Sequence, residues 1–267
     1  MQNTERIWGF CDLYIDRNFD IKTLNFIEKL GFHTVALNTF VDEVSDEPKK
    51  KKKKTDTLIL EKKDYIPLPL IVPDEVKNSC KLNILQRVTI EFSESSVAHK
   101  INQSDNIRKY DIVAVLPKTI QAFQFASGTL EVDMITFEAQ TKIPYKVSRK
   151  LYKQAVDRGI FFELMYSPAI RDSSSRKNII STAHNYHAVG KSKNIVVTSG
   201  AENYMQCRGV PDIINLGYIL GLNSNQCLEV IRNNPQKLIL KAQGRRCGKF
   251  YMEVSTVETE NKNNISE

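Results

Sequence analysis

Short apolar runs alternate with helical patterns along nearly the whole chain, and this alternation restricts the fold more than any other feature. The runs are IWGFCDLYI (7–15), HTVALNTFV (33–41), LNILQRVTIEF (82–92), YDIVAVLP (110–117), VDMITFEA (132–139), FFELMYSP (161–168) and NIVVTSGA (194–201). After the first run, Ile21, Leu24, Ile27 and Leu30 recur at helical spacing, with Asp20 as the expected cap and Gly31 as the stop. Further helical stretches follow near 95–104, 119–127, 148–158, 173–189 and 211–221, and a last helix at 224–233 precedes an apolar run at 237–242. Pro168 ends its run, and a loop is expected from there to residue 173. Repeated βα units imply a parallel sheet. Seven or eight strand-like runs over about 250 residues fit the α/β class as a single (β/α) TIM-like barrel. An open doubly wound sheet satisfies the same periodicity.

Residues 42–64 break the rhythm, being polar, charge-blocked and unsuited to a core. They are expected to form a disordered, Lys-rich insertion in one barrel domain spanning 1–254, with 255–267 as a disordered tail. Lys49, Lys50, Lys51, Lys52, Lys53 and Lys54 match a nuclear-import signal, an exposed basic run for an acidic receptor groove. No stretch reaches the roughly 20 apolar residues of a membrane span, and the first residues lack the pattern of a secretory signal. Five cysteines stand singly, which reads as reduced thiols in an intracellular protein.

The formal charge is +7, but those six lysines carry most of it. Residues 142–193 hold eleven lysines and arginines against three carboxylates. Such segregation suggests a surface facing a polyanion. On a barrel, function sits on the loops after the strand C-terminal ends, here Asp12, Asn38, Pro117, Glu163 to Arg176 and Ser199 to Arg208. There is no GxSxG elbow, GxGxxG or Walker pattern. His184 and His187 have helical spacing but no strand-end carboxylate beside them, and the serines of DSSSR read as helix caps.

Read for phosphate binding, the same loops are richer. Asp172 or Ser173 can cap a helix whose first amides face outward. Arg171, Arg176, Lys177 and Ser173 surround that end, Arg149 and Lys150 open the basic helix before it, and Arg208 lies on a later loop. These seven are the expected RNA-binding residues, matching the charges, hydroxyls and helix ends that hold a nucleic-acid backbone. The bland alternatives are local pairs, Arg171 with Asp172 or Glu163 and Arg208 with Asp212, and solvation of Arg245, Arg246 and Lys249.

YDIVAVLP, LEVDMITF (130–137), DRGIFFELMYSPAIRDSSSRKNIIS (157–181), NIVVTSGAE (194–202) and RGVPDIINLGYILGL (208–222), in this order, resemble the barrel-forming thirty-kilodalton protein subunit family of ribonuclease P and RNase MRP. FCDLYI (10–15) and VALNTF (35–40) match more loosely. The resemblance implies a fold similar to the polymerase and histidinol phosphatase (PHP) barrel, whose first strand ends in an HxH metal pair. Here the matching place reads CDL, with Asp12 and no histidine, so neither a catalytic residue nor a bound metal or cofactor is expected in this chain. The resemblance further implies that RNA performs the cleavage, with Mg2+ serving that RNA, on 5′ leaders of precursor tRNA and on precursor rRNA. The implied partners are the ribonuclease P RNA, the RNase MRP RNA, a small α/β protein subunit and other protein subunits, in the nucleus and nucleolus. The competing expectations are a free-standing PHP-like metallophosphoesterase and a scaffold that never touches RNA.

Overall fold

The structure, a computed structural model, describes residues 9–18, 21–43 and 64–248. Its elements in chain order are β1 (Phe10–Asp16), α1 (Ile21–Lys29), β2 (Phe32–Val41), α2 (Asp74–Ser79), β3 (Asn83–Phe92), α3 (Ser95–Gln103), β4 (Ile112–Pro117), α4 (Ile120–Gly128), β5 (Met134–Ile135), α5 (Arg149–Asp157), β6 (Phe161–Met165), α6 (Ser167–Arg171), α7 (Ser173–Gly190), β7 (Ile195–Thr198), α8 (Val210–Ile219), α9 (Ser224–Glu229) and α10 (Asn233–Cys247). Gly31 links α1 to β2 at φ +94°, a conformation that costs a side-chain-bearing residue.

The seven strands form one parallel sheet in sequence order. Such strands are covered on both faces and read as continuous apolar runs; all six residues of β4 are buried. One apolar layer lies between the sheet and the surrounding helices. A second fills the barrel, where Cys11, Leu13, Ala36, Ile112, Ala114, Met134, Phe161 and Val196 meet Leu238 and Ile239 of α10.

The apolar run at 237–242 is therefore not a strand. It lies inside α10, which crosses the N-terminal ends of the strands and plugs the barrel. Its side chains reach backbone there: Gln236 to the Gly9 carbonyl (3.2 Å), Asn234 to Ile195 (2.7 Å) and Lys241 to Val132 (2.9 Å). Arg245 is not solvated as expected; its Nε donates to both oxygens of buried Asp133 at 3.1 and 3.0 Å, and Asp133 also accepts the Val113 amide. Arg246 pairs with Asp111. Lys249 and Asp20 lie outside the described residues.

With no eighth strand among the described residues, the gap between β1 and β7 is closed piecemeal. At one end the Ile231 and Val230 carbonyls accept the Cys11 and Val197 amides at 2.9 and 3.1 Å. At the other, Ile15 bridges to Ala201, and the Asp12 carboxylate and Ser199 exchange hydrogen bonds with the opposite edge.

A second correction concerns Pro168, which opens a helix instead of starting a loop. Proline has no amide to lose in a first turn and its φ suits that position, so Ser167–Arg171 forms the short helix α6. Most of the insertion (44–63) and the 255–267 tail lie outside the described residues. The flanks of the insertion are tied down. Glu43 accepts the Ser93 amide (2.9 Å) and hydroxyl, and Asp64 accepts the Ser104 hydroxyl (2.8 Å) and the Asn106 amide (3.1 Å).

Candidate nucleic-acid interface

The interior of the barrel changes character toward the strand C-terminal ends. Arg87 of β3 and Glu163 of β6, both fully buried, meet side by side, Nη1 to Oε1 at 2.5 Å and Nη2 to Oε2 at 2.6 Å. Arg87 also donates to the Leu13 carbonyl (2.8 Å) and Thr89 Oγ1 (3.2 Å), and its guanidinium lies 4.6 Å from the Tyr14 ring centroid. Glu163 accepts Thr198 Oγ1 at 2.7 Å, and Thr89 in turn donates to Asn38 at 2.6 Å. The pair is neutral overall, and both its members have several partners, the condition under which buried charges are tolerated. Glu163 thus pairs with Arg87, not with Arg171. Arg87 escaped the sequence reading, although an arginine inside the run LNILQRVTIEF requires a buried carboxylate somewhere else in the fold.

Asp12, the residue at the CDL position, lies beside this pair and serves to seal the barrel. Its Oδ1 accepts the amides of Ser199 (2.9 Å) and Tyr14 (3.3 Å), while Oδ2 has no partner among the described residues. Burial raises its pKa to about 6 from an ordinary 3.8, against the pull of the Ser199 and Tyr14 hydrogen bonds. The folded chain therefore binds a proton that the unfolded chain releases between pH 3.8 and 6, so stability falls as pH rises through that window. About two pKa units correspond to about 3 kcal/mol. Asp12→Asn keeps an oxygen for both amides and is expected to abolish this slope, so wild type loses about 2–3 kcal/mol more than the variant between pH 4 and 7. Parallel urea-unfolding profiles of the two proteins across that range would refute the assignment.

Among the described residues, no three or more His, Cys, Asp or Glu side chains are grouped so as to hold a metal. His33 is exposed on β2, and His187 Nδ1 lies 3.2 Å from the Ser192 hydroxyl. The described residues at this mouth do not assemble the donor set of a divalent site, several carboxylates and imidazoles converging on one point.

Outside the barrel, the predicted cations separate into two kinds. Asp172 caps α7, its Oδ2 accepting the Ser175 amide at 2.7 Å. Ser175 and Ser167 are buried, the latter donating to Gln206 (2.8 Å), whereas Ser173 is exposed. Arg171 pairs with Glu202 at 2.5 Å, Arg176 Nε donates to the Ala169 carbonyl at 2.8 Å, and Arg208 donates to the Met205 and Cys207 carbonyls at 2.9 Å. These three have contacts of their own within the protein. Lys177 on α7 and Arg149 and Lys150 in the first turn of α5 are exposed, with no ion pair among the described residues. Ser148 caps α5 by accepting the Leu151 amide at 3.3 Å and so fixes where Arg149 and Lys150 emerge. Lys49 to Lys54 lie outside the described residues.

A family model described as RNase P subunit p30 matches residues 9–247. The ribonuclease P protein subunit p30 of Mus musculus is 33% identical over 243 residues, covering 89% of this chain and 87% of that protein. The ribonuclease P/MRP protein subunit RPP1 of Saccharomyces cerevisiae is 25% identical over 228 residues, covering 84% and 73%. Among solved structures, a chain in the cryo-EM structure of archaeal ribonuclease P with mature tRNA matches with TM-score 0.67 and 14% identity, over 94% of this chain and 100% of that one. An amidohydrolase matches with TM-score 0.51 and 10% identity, over 87% and 74%. These structural likenesses are of fold, and they agree with the TIM-like barrel.

Proposed function

The chain belongs to the RNase P subunit p30 family, and we propose that, as a protein subunit of ribonuclease P and RNase MRP, it contacts and supports the RNA that performs cleavage. The observation that carries the reading is the contrast between the two ends of the chemistry. The mouth of the barrel encloses a satisfied Arg87–Glu163 pair, while the basic residues of α5 and α7 face solvent. Lysines and arginines on such a face neutralise phosphates of a folded RNA and release its counterions, an effect that weakens steeply with salt.

In this role the partners are the ribonuclease P RNA, the RNase MRP RNA, a small α/β subunit and the other protein subunits. Precursor tRNA and precursor rRNA are met through the assembly. Mg2+ serves the RNA, and Lys49 to Lys54 direct import to the nucleus and nucleolus. Arg149, Lys150 and Lys177 are the cations of the predicted set that are exposed and make no ion pair among the described residues. Arg171, Arg176, Arg208 and Ser173 approach RNA with contacts already made or from the rim. A free-standing metallophosphoesterase is not favoured, because Arg87 neutralises Glu163 and, among the described residues, no three His, Cys, Asp or Glu side chains are grouped so as to hold a metal.

Affinity purification of the tagged chain from nuclear extract, with sequencing of the bound RNA, tests this. The expected result is enrichment of ribonuclease P RNA, with precursor-tRNA cleavage in the eluate that is lost when that RNA is digested. Recovery without a specific RNA would overturn the proposal.

A further inference from the structure

Between the loop that follows β5 and the outer face of α7 runs an open groove of about 330 Å³, lined on one side by residues 142–146, with Lys142 and Lys146 at the ends of that segment, and on the other by Asn178, Ser181, Thr182 and Asn185. We propose that this groove holds the sugar-phosphate backbone of a folded RNA; the inference rests on the ribonuclease P reading and locates its contact away from the Arg171 cluster.

Three observations converge on it. The groove is built, not incidental. The Asn178 amide donates to the carbonyls of Ala139 and Gln140 at 3.3 and 3.1 Å, clamping the loop to α7. Tyr145 in the same wall is held by its hydroxyl on the Pro117 carbonyl at 2.9 Å.

Its charge is also uncompensated. Lys142 and Lys146 are exposed and have no ion pair among the described residues, and Lys177, outside the lining but one turn from Ser181 on α7, is also exposed. Arg149 and Lys150 follow Lys146 by three and four residues. Of the nearby carboxylates, Glu138 at the start of the loop is paired with Lys118 at 2.8 Å, Glu163 is buried on Arg87 and Asp172 caps α7, which leaves Asp157 at the far end of α5.

The composition of the α7 wall completes the case. Asn178, Ser181, Thr182 and Asn185 fall on one stripe of the helix. All four residues are of types that form helix less readily than Ala, Lys or Glu, by a few tenths of a kcal/mol each, and among the described residues only Asn178 has a side-chain contact that accounts for it. Neutral hydroxyl and amide donors opposite mobile lysines are the groups that hold phosphate and ribose oxygens. An acidic peptide would favour cations on both walls.

The test replaces the chain in cells by a tagged full-length Lys142→Glu/Lys146→Glu variant and purifies it with its assembly. RNA recovered at increasing salt, co-purified proteins and ultraviolet crosslink positions are read together. Loss of two phosphate contacts is expected to lower RNA recovery about tenfold near 0.2 M salt and to reduce the salt slope by about two. Co-purified proteins should be unchanged, wild-type crosslinks should fall at 142–146 and 178–185, and Lys191→Glu at the other end of α7 should stay within about twofold of wild type. Should the reversal lower the Tm of the purified chain, Lys142→Gln/Lys146→Gln carries the same test. RNA retained by the variant with crosslinks elsewhere overturns the groove and leaves the family reading intact. Loss of protein partners in place of RNA makes it a protein interface and also overturns it. A wild-type chain that brings down no specific RNA refutes the ribonuclease P reading itself.

Discussion

Arg87→Met alone is expected to destabilise the chain by about 3–5 kcal/mol, because it strands the Glu163 carboxylate, uncompensated, in the barrel. Glu163→Leu alone should cost a similar amount for the mirrored reason. The two positions are in direct contact across the barrel, so their effects should not add. The double variant Arg87→Met/Glu163→Leu replaces the pair by apolar groups of similar volume and is expected to lie within about 2 kcal/mol of wild type. Urea unfolding of the four proteins followed by circular dichroism decides the matter. A loss below about 1 kcal/mol in both single variants would show that water reaches the pair and that the mouth is open.

Leu238→Ala is the second large effect, expected at about 2–5 kcal/mol. Leu238 is completely buried and, with Ile239, meets the interior side chains of β1, β2, β4, β5, β6 and β7. Truncation leaves a cavity between α10 and the barrel, and the polar ties of α10 to Ile195, Val132 and Asp133 hold the helix too firmly for the space to collapse. The measurement is the shift of the urea midpoint at unchanged slope. A changed slope with little change in stability would mean instead that α10 leaves the barrel altogether.

Much of this architecture was legible along the chain. Strand positions followed from apolar runs such as IVAVLP, which a parallel sheet buries on both faces. The helix at 173–190 followed from its capping chemistry, Asp172 before three serines. The misreadings have physical causes. The run at 237–242 was too short for its period to separate strand from helix. Pro168 both stops strands and starts helices, and only its surroundings decide between these roles. Of VDMITFEA, only Met134 and Ile135 form strand.

The candidate site divides in the same way. The excess of positive charge in 142–193 was plain in the sequence, and the lysine-rich groove lies within that window. Arg171, Arg208 and Arg245 looked as available as Lys142 or Lys177, yet the fold engages them with Glu202, with two backbone carbonyls, and with Asp133.

The sequence by itself determined the order of βα units and the segregation of charge, since helical and strand periods, caps and turns act over a few residues. Tertiary structure decided which charges are spent inside the protein and which remain for a partner. Arg87 and Glu163 are 76 residues apart, and no local rule joins them. They meet because the parallel register sets their side chains in the barrel interior near the strand C-terminal ends, where an unpaired charge could not persist.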